Sequence, residues 1–154
     1  MLLRTLIVDD EQVARRVLRV GLESIAGVEI IGEAESGGAA LDEIERHHPD
    51  LVFLDLQMPA MSGLDMVSRL KCGEYMPAII IVTAYDQFAL EAFDAGAIDY
   101  LLKPVRQECL AEAIERVRRL SAREAIERIA HLQGLMGPSG GQRIRSLPCQ
   151  NDGR

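Results

Sequence analysis

Apolar and polar residues fall into alternating blocks along the 154-residue chain. Short, largely apolar runs occupy residues 3–8, 28–31, 51–54, 78–82 and 98–102. Their apolar residues stand at consecutive positions rather than every second one. Parallel strands covered on both faces read this way. Between the runs the apolar residues repeat at helical spacing. Val13, Val17, Val20 and Ile25 mark the first such segment; Ala40, Leu41 and Ile44 mark the second, with Ser36 placed to cap it. Leu64, Val67 and Leu70 follow Ser62 and Gly63; Phe88, Ala92 and Phe93 follow Asp86; Leu110, Ile114 and Val117 belong to the last. Gly27, Gly73 and Gly96 mark helix ends, and Pro49 and Pro77 stand just before strands. Five β–α units follow, which predicts a doubly wound α/β parallel sheet with right-handed crossovers and helices on both faces.

The last helix outruns the sheet. Residues 105–136 are rich in Arg, Glu, Ala and Leu, with no Gly or Pro before Gly134. About four turns suffice to cover a sheet of this size, so the remainder projects. Ile126, Ile129 and Leu132 or Gln133 form a second apolar stripe, out of phase with the first near Ser121. Two readings stand: a helical linker, or a dimerising or signalling helix. The expected division is a domain over 1–120, an extension over 121–136 and a flexible tail over 137–154, where GPSGGQ has linker composition.

Composition narrows the class. Apolar residues make up 48% of the chain, enough for a core, and aromatics only 4%, so that core is aliphatic. There is no apolar run of ~18 residues to span a membrane. The apolar start of the chain meets acids at once, which argues against a signal peptide and makes the cytoplasm the default location. Cys72, Cys109 and Cys149 fit neither a disulfide framework nor a metal site, and reduced thiols are expected. Residues 1–102 hold 7 basic and 18 acidic groups, whereas residues 103–154 hold 10 and 6. The acidic part repels nucleic acid. Neither a phosphate-binding glycine loop nor a dinucleotide fingerprint occurs.

The chemistry lies at the strand tips, because an open α/β sheet binds ligands at the carboxyl ends of its strands. The first strand ends in Asp9-Asp10, the third in Asp55, the fourth in Thr83-Ala84 and the fifth in Lys103-Pro104. If the first and third strands are neighbours, three carboxylates share a pocket, each disfavouring the others' ionisation. A hard divalent cation such as Mg²⁺ relieves that conflict. An ionised Asp can also be a nucleophile toward a phosphoryl group, and Asp55 is the best placed. Lys103 and Thr83 would bind phosphoryl oxygens, and Ala84 leaves room for the donor.

The segments LIVDDE, LVFLDLQMP, IIIVTAY and DYLLKP, in that order, resemble the receiver domain of two-component response regulators over about residues 3–120. The resemblance implies a flavodoxin-like fold with strand order 2-1-3-4-5 and phosphoryl transfer from a histidine kinase to Asp55. It implies Mg²⁺ held by Asp10, Asp55, the Gln57 backbone carbonyl and, partly through water, Asp9. It implies a cis bond before Pro104, and a switch in which Thr83 moves toward the phosphoryl group and Tyr100 turns inward, remodelling an α4–β5–α5 face used for homodimerisation. Gln57 and Tyr85 flank the path of the attacking water, so an aromatic at 85 implies a long-lived phosphoryl group. Such a domain is a phosphoacceptor that catalyses its own transfer and slow dephosphorylation, not a conventional enzyme. The stretch from Thr83 to Val105 resembles more narrowly the receivers attached to LytTR-type DNA-binding domains. That resemblance implies transcription regulation through a domain this chain does not include, whether the chain is a piece of a longer regulator or a stand-alone receiver.

Two other readings compete. A Mg²⁺-dependent phosphatase of the haloacid-dehalogenase type also uses an Asp nucleophile, but on its first strand, with a general acid two residues on. Here the nucleophile follows the third run, and Gln57 cannot serve as an acid. A receiver without phosphorylation chemistry, acting only as a dimerisation module, would not need the full set of acids, Thr and Lys.

Overall fold

The computed structural model describes residues 2–73 and 75–132. The elements run β1 (Leu3–Val8), α1 (Gln12–Glu23), β2 (Val28–Ala34), α2 (Gly37–His47), β3 (Leu51–Leu54), α3 (Gly63–Lys71), β4 (Ala78–Thr83), α4 (Ala89–Ala95), β5 (Asp99–Leu102) and α5 (Gln107–Leu132). All strand pairs are parallel and the order is β2-β1-β3-β4-β5. This is the flavodoxin-like (βα)5 arrangement, and it makes β1 and β3 neighbours.

The consecutive apolar residues divide between two cores. Leu6, Val8, Val52, Leu54, Ile79 and Ile81 face α2, α3 and α4, where they meet Ile44, Met66 and Val67. Their sequence neighbours Ile7, Phe53, Ile80 and Val82 face α1 and α5, where they meet Leu22, Leu110 and Ile114. Successive strand side chains point to opposite faces, so a strand covered on both sides is apolar at every position.

Several expectations are adjusted. β2 runs on to Ala34 across Gly32 and Glu33, because a register shift lets it stay paired with β1 to the end. Val13, Val17 and Val20 are not a core stripe: they are 74%, 65% and 63% exposed. α1 packs instead through Leu22 and the bare backbone of Gly21, where an added Cβ would lie 3.0 Å from Leu110. Gln107 and Arg118 tie α5 to the carbonyls of Gly21 and Ala26. Ser36 and Ser62 cap α2 and α3 by accepting from the amides of Ala39 and Asp65. α5 is one continuous helix through Ser121, and Ile126 is exposed. The expected stripe members Gln133, Ile129 and Leu132 and the tail over 137–154 lie outside the residues whose side chains are described. Cys72 is a free exposed thiol, but Cys109 is disulfide-bonded. The expectation of reduced thiols therefore fails at Cys109, since spacing along a chain does not say which thiols the fold brings together. Among the described residues, no helix is long and apolar enough to cross a membrane.

Two non-glycine residues adopt positive φ. His48 (φ 47°) ends α2, its amide donating to the Ile44 carbonyl and its ring meeting the edge of Tyr75. Ala60 (φ 72°), in the β3–α3 loop, has no such role. A Cβ in the left-handed region costs roughly 1–2 kcal/mol, and the extra unfolded-state freedom of glycine offsets part of that. Ala60→Gly is therefore expected to stabilise the fold by roughly 0.5–1 kcal/mol, read as a rise in thermal midpoint.

Candidate functional site

The pocket lies at the carboxyl ends of β1, β3, β4 and β5. Asp9 and Asp10 follow β1 directly, before α1 begins, and Asp55 is the first residue after β3. The Asp55 amide donates to the Val8 carbonyl at 3.0 Å, which extends the β1–β3 ladder and sets the acids side by side. Carboxylate oxygens of Asp9, Asp10 and Asp55 lie within 4.8 Å of one another. Asp9 and Asp55 are buried, whereas Asp10 is exposed. The Asp9 carboxylate accepts from the Glu11 amide and that of Asp55 from the Gln57 amide. Gly63 is required by close approach: an added Cβ would stand 2.6 Å from the Asp55 carbonyl oxygen.

Lys103 reaches in from β5. Its Nζ donates to Asp9 Oδ2 at 2.8 Å and to Asp55 Oδ2 at 3.3 Å. The peptide bond before Pro104 is cis, as the resemblance implies. Burial works against the Lys103 ammonium, but the hydrogen bonds and charges of the two carboxylates prevail and raise its pKa. For Asp55 the balance is opposite. Burial raises its pKa and the Asp9 charge adds to this; Lys103 and the Gln57 amide oppose the rise without cancelling it. One ammonium shared by two buried acids, with a third beside them, leaves the pocket short of positive charge.

Thr83 closes β4 fully buried, and its hydroxyl has no hydrogen-bond partner among the described residues. A buried unpaired hydroxyl is costly and calls for an explanation. Ala84 and Tyr85 follow on the exposed rim, where the Tyr85 ring meets Phe88 edge-on. Tyr100 is wholly buried, in the inward position, and its hydroxyl donates to the Tyr85 carbonyl. Burial pushes its pKa up to about 12. Next to it, Asp99 is buried and paired with Arg116 of α5. Burial raises the Asp99 pKa, against the pull of the Tyr100 amide and Arg116. The sequence reading missed this pair, because nothing in the spacing of Asp99 and Arg116 shows that the helix passes over the strand there.

The donor set fits a hard divalent cation. Three carboxylates offer oxygen ligands, the exposed one provides an entry, and the Gln57 carbonyl lies on the loop directly after Asp55. His47 and His48 lie at the other end of α2 and take no part.

The raised Asp55 pKa gives a signed expectation. The folded state holds the Asp55 proton to higher pH than the unfolded chain, so ionising it removes stability as pH rises through the folded value. In metal-free buffer at neutral pH, Asp55→Asn is expected to melt at a higher temperature than the native chain. The gap should close as pH falls into the range where Asp55 is protonated, and narrow when Mg²⁺ is added to the native chain. An equal or lower melting temperature for Asp55→Asn would contradict the charge balance described.

Comparison with known proteins agrees with this geometry. Residues 5–115 match the response regulator receiver domain. The chain is 35% identical over 153 residues to the transcriptional regulatory protein BtsR of Salmonella typhimurium, covering 99% of this chain and 60% of BtsR. It is 41% identical over 148 residues to an uncharacterised response regulatory protein of Shewanella oneidensis, covering 95% and 62%. The chain thus spans about three-fifths of the length of these relatives. Among solved structures, it resembles the receiver domain of AraT from Geobacillus stearothermophilus (34% identity, TM-score 0.68, 80% of this chain and 99% of that one). It also resembles the signal receiver domain of a LuxO repressor protein from Vibrio parahaemolyticus (27% identity, TM-score 0.75, 82% and 98%). With the fold, the acidic pocket and the match over residues 5–115 in agreement, the chain belongs to the response regulator receiver domain family.

Proposed function

We propose that this domain accepts a phosphoryl group from a histidine kinase on Asp55 and passes the signal on through its α4–β5–α5 face. The observation that carries the reading is the meeting of Asp9, Asp10 and Asp55 within 4.8 Å, with Lys103 bridging two of them. An Asp55 carboxylate oxygen attacks the phosphorus of the phosphohistidine. A P–O bond forms, the P–N bond breaks, and its electron pair returns to the imidazole. Asp10, Asp55, the Gln57 carbonyl and, through water, Asp9 would hold Mg²⁺. Once bound, it supplies charge neutralisation for the phosphoryl oxygens and for the acids. Lys103 exchanges its contact with Asp55 for one phosphoryl oxygen. The unpaired Thr83 hydroxyl gains its missing partner in another, and Ala84 keeps the donor's path open.

The output reading rests on the same elements. Filling the Thr83 hydroxyl's bonding capacity draws that side chain toward Asp55, and the buried Tyr100 belongs to β5, the strand paired with β4. β5 links Tyr100 to α5 through the Asp99–Arg116 pair, and Leu90 of α4 is 67% exposed. A second copy docking there would convert one new dianion into a dimer. BtsR is described as a transcriptional regulatory protein and is longer than this chain. Regulation of transcription by a LytTR-type DNA-binding domain outside this chain, in the cytoplasm, is the corresponding output. Residues 1–120 would form the receiver, 121–136 the connecting helix and 137–154 a linker.

Incubation with Mg²⁺ and acetyl phosphate, read by intact mass, should give a single phosphoryl adduct that requires both Mg²⁺ and Asp55, with Asp55→Asn as control. A shift of the adduct toward a dimer on a sizing column would support the α4–β5–α5 output. Followed in time, the adduct should decay faster in Tyr85→Ala than in the native chain, because the ring shields the water's approach. Absence of an adduct would overturn the reading.

A further inference from the structure

We propose that Arg15 is a positioning residue for the acidic pocket: its guanidinium holds the Asp9–Asp10 peptide in the orientation that turns the exposed Asp10 carboxylate toward Asp9 and Asp55. The inference rests on the phosphoacceptor reading and deepens its metal site. Arg15 lies in the first turn of α1, which begins just after the acids, and its side chain is only 13% exposed. Its Nη1 donates to the Asp9 carbonyl oxygen at 2.6 Å, and its Nε donates to Glu33 Oε1 at 2.9 Å. Arg19, one turn further on, donates from Nε to the other Glu33 oxygen at 2.7 Å. Glu33 belongs to β2, the strand next to β1, so the guanidinium is braced against the sheet rather than against solvent. Burial disfavours the Glu33 carboxylate, but hydrogen bonds and charge from Arg19 and Arg15 outweigh it and lower its pKa. The brace is charged wherever the pocket works.

The corner it holds has little else to fix it. The Asp9 amide donates to the Ala34 carbonyl, and the Glu11 amide donates to the Asp9 carboxylate. The remaining freedom is rotation of the planar Asp9–Asp10 peptide about its flanking bonds. That rotation decides where Asp10 points. Asp9 and Asp55 are buried and bonded to Lys103, whereas Asp10 is the exposed member of the set. Fixing the Asp9 carbonyl fixes the start of Asp10. The task suits a guanidinium: two acceptors in different directions are met by one rigid planar fork, which an ammonium cannot reproduce.

The test separates positioning from charge, because the two have opposite signs. Removing a cation near the pocket would tighten Mg²⁺ binding through space; loosening Asp10 would weaken it. Mg²⁺ is titrated into the native chain, Arg15→Met and Arg15→Lys, following amide chemical shifts. Thermal melts check the fold, and Asp10→Asn serves as a reference for a lost ligand. Arg15→Met is expected to bind Mg²⁺ roughly 10-fold more weakly, and Arg15→Lys, with its charge intact, also more weakly than the native chain. Phosphorylation by acetyl phosphate should recover in both variants as Mg²⁺ approaches saturation. Native-like or tighter Mg²⁺ binding by a folded Arg15→Met would overturn the inference while leaving the phosphoacceptor reading in place. If Arg15→Met does not fold, native-like binding by Arg15→Lys has the same force. A native chain that takes up no Mg²⁺ would overturn both.

Discussion

The structure is organised around a charge imbalance that only a rigid frame can sustain. Asp9, Asp10 and Asp55 repel one another, yet parallel pairing of β1 with β3 brings them within 4.8 Å. Left mobile, they would turn apart into water. Two buried strands, a glycine without room for a Cβ beside Asp55, and a lysine from β5 prevent that. The Asp55 pKa is raised even with Lys103 in contact, so the ammonium does not complete the site. A pocket held together against its own repulsion is prepared for a cation and an incoming phosphoryl group.

The helices divide their work around that frame. α2, α3 and α4 cover one face and α1 and α5 the other, so the central strand β3 is buried throughout, while the edge strand β2 leaves Glu29 and Glu33 exposed. The pocket is coupled to the surface on two sides. On one, Arg15 links the Asp9 carbonyl to Glu33 of β2. On the other, the Tyr100 hydroxyl of β5 donates to the Tyr85 carbonyl after β4, and Asp99 joins β5 to α5.

Much of this was legible in the sequence because the signals are local. Runs such as residues 51–54 and 78–82 are apolar at every position for a reason that holds for any strand between two layers. Asp9, Asp10, Asp55, Thr83 and Lys103 each stand directly at a strand end, so reading the ends found the site. What escaped depends on relations between distant segments. Val13, Val17 and Val20 have the spacing of a buried stripe, but α1 turns Leu22 and Gly21 inward because α5 lies there. β2 passes through Gly32 and Glu33 because a bulge keeps its register with β1. Arg15 looks like an ordinary solvated helix residue until the fold sets Glu33 beside it. Ala60 and His48 take positive φ where a sequence reader looks for Gly or Asn.

If Asp9, Asp10 and Asp55 share a cation, a crystal structure of the protein grown with Mg²⁺ should show it. The ion is expected at about 2.0–2.1 Å from Asp10, Asp55 and the Gln57 carbonyl, with Asp9 reached through water. A pocket that stays free of metal in such crystals, with Lys103 still bridging Asp9 and Asp55, would contradict a shared site.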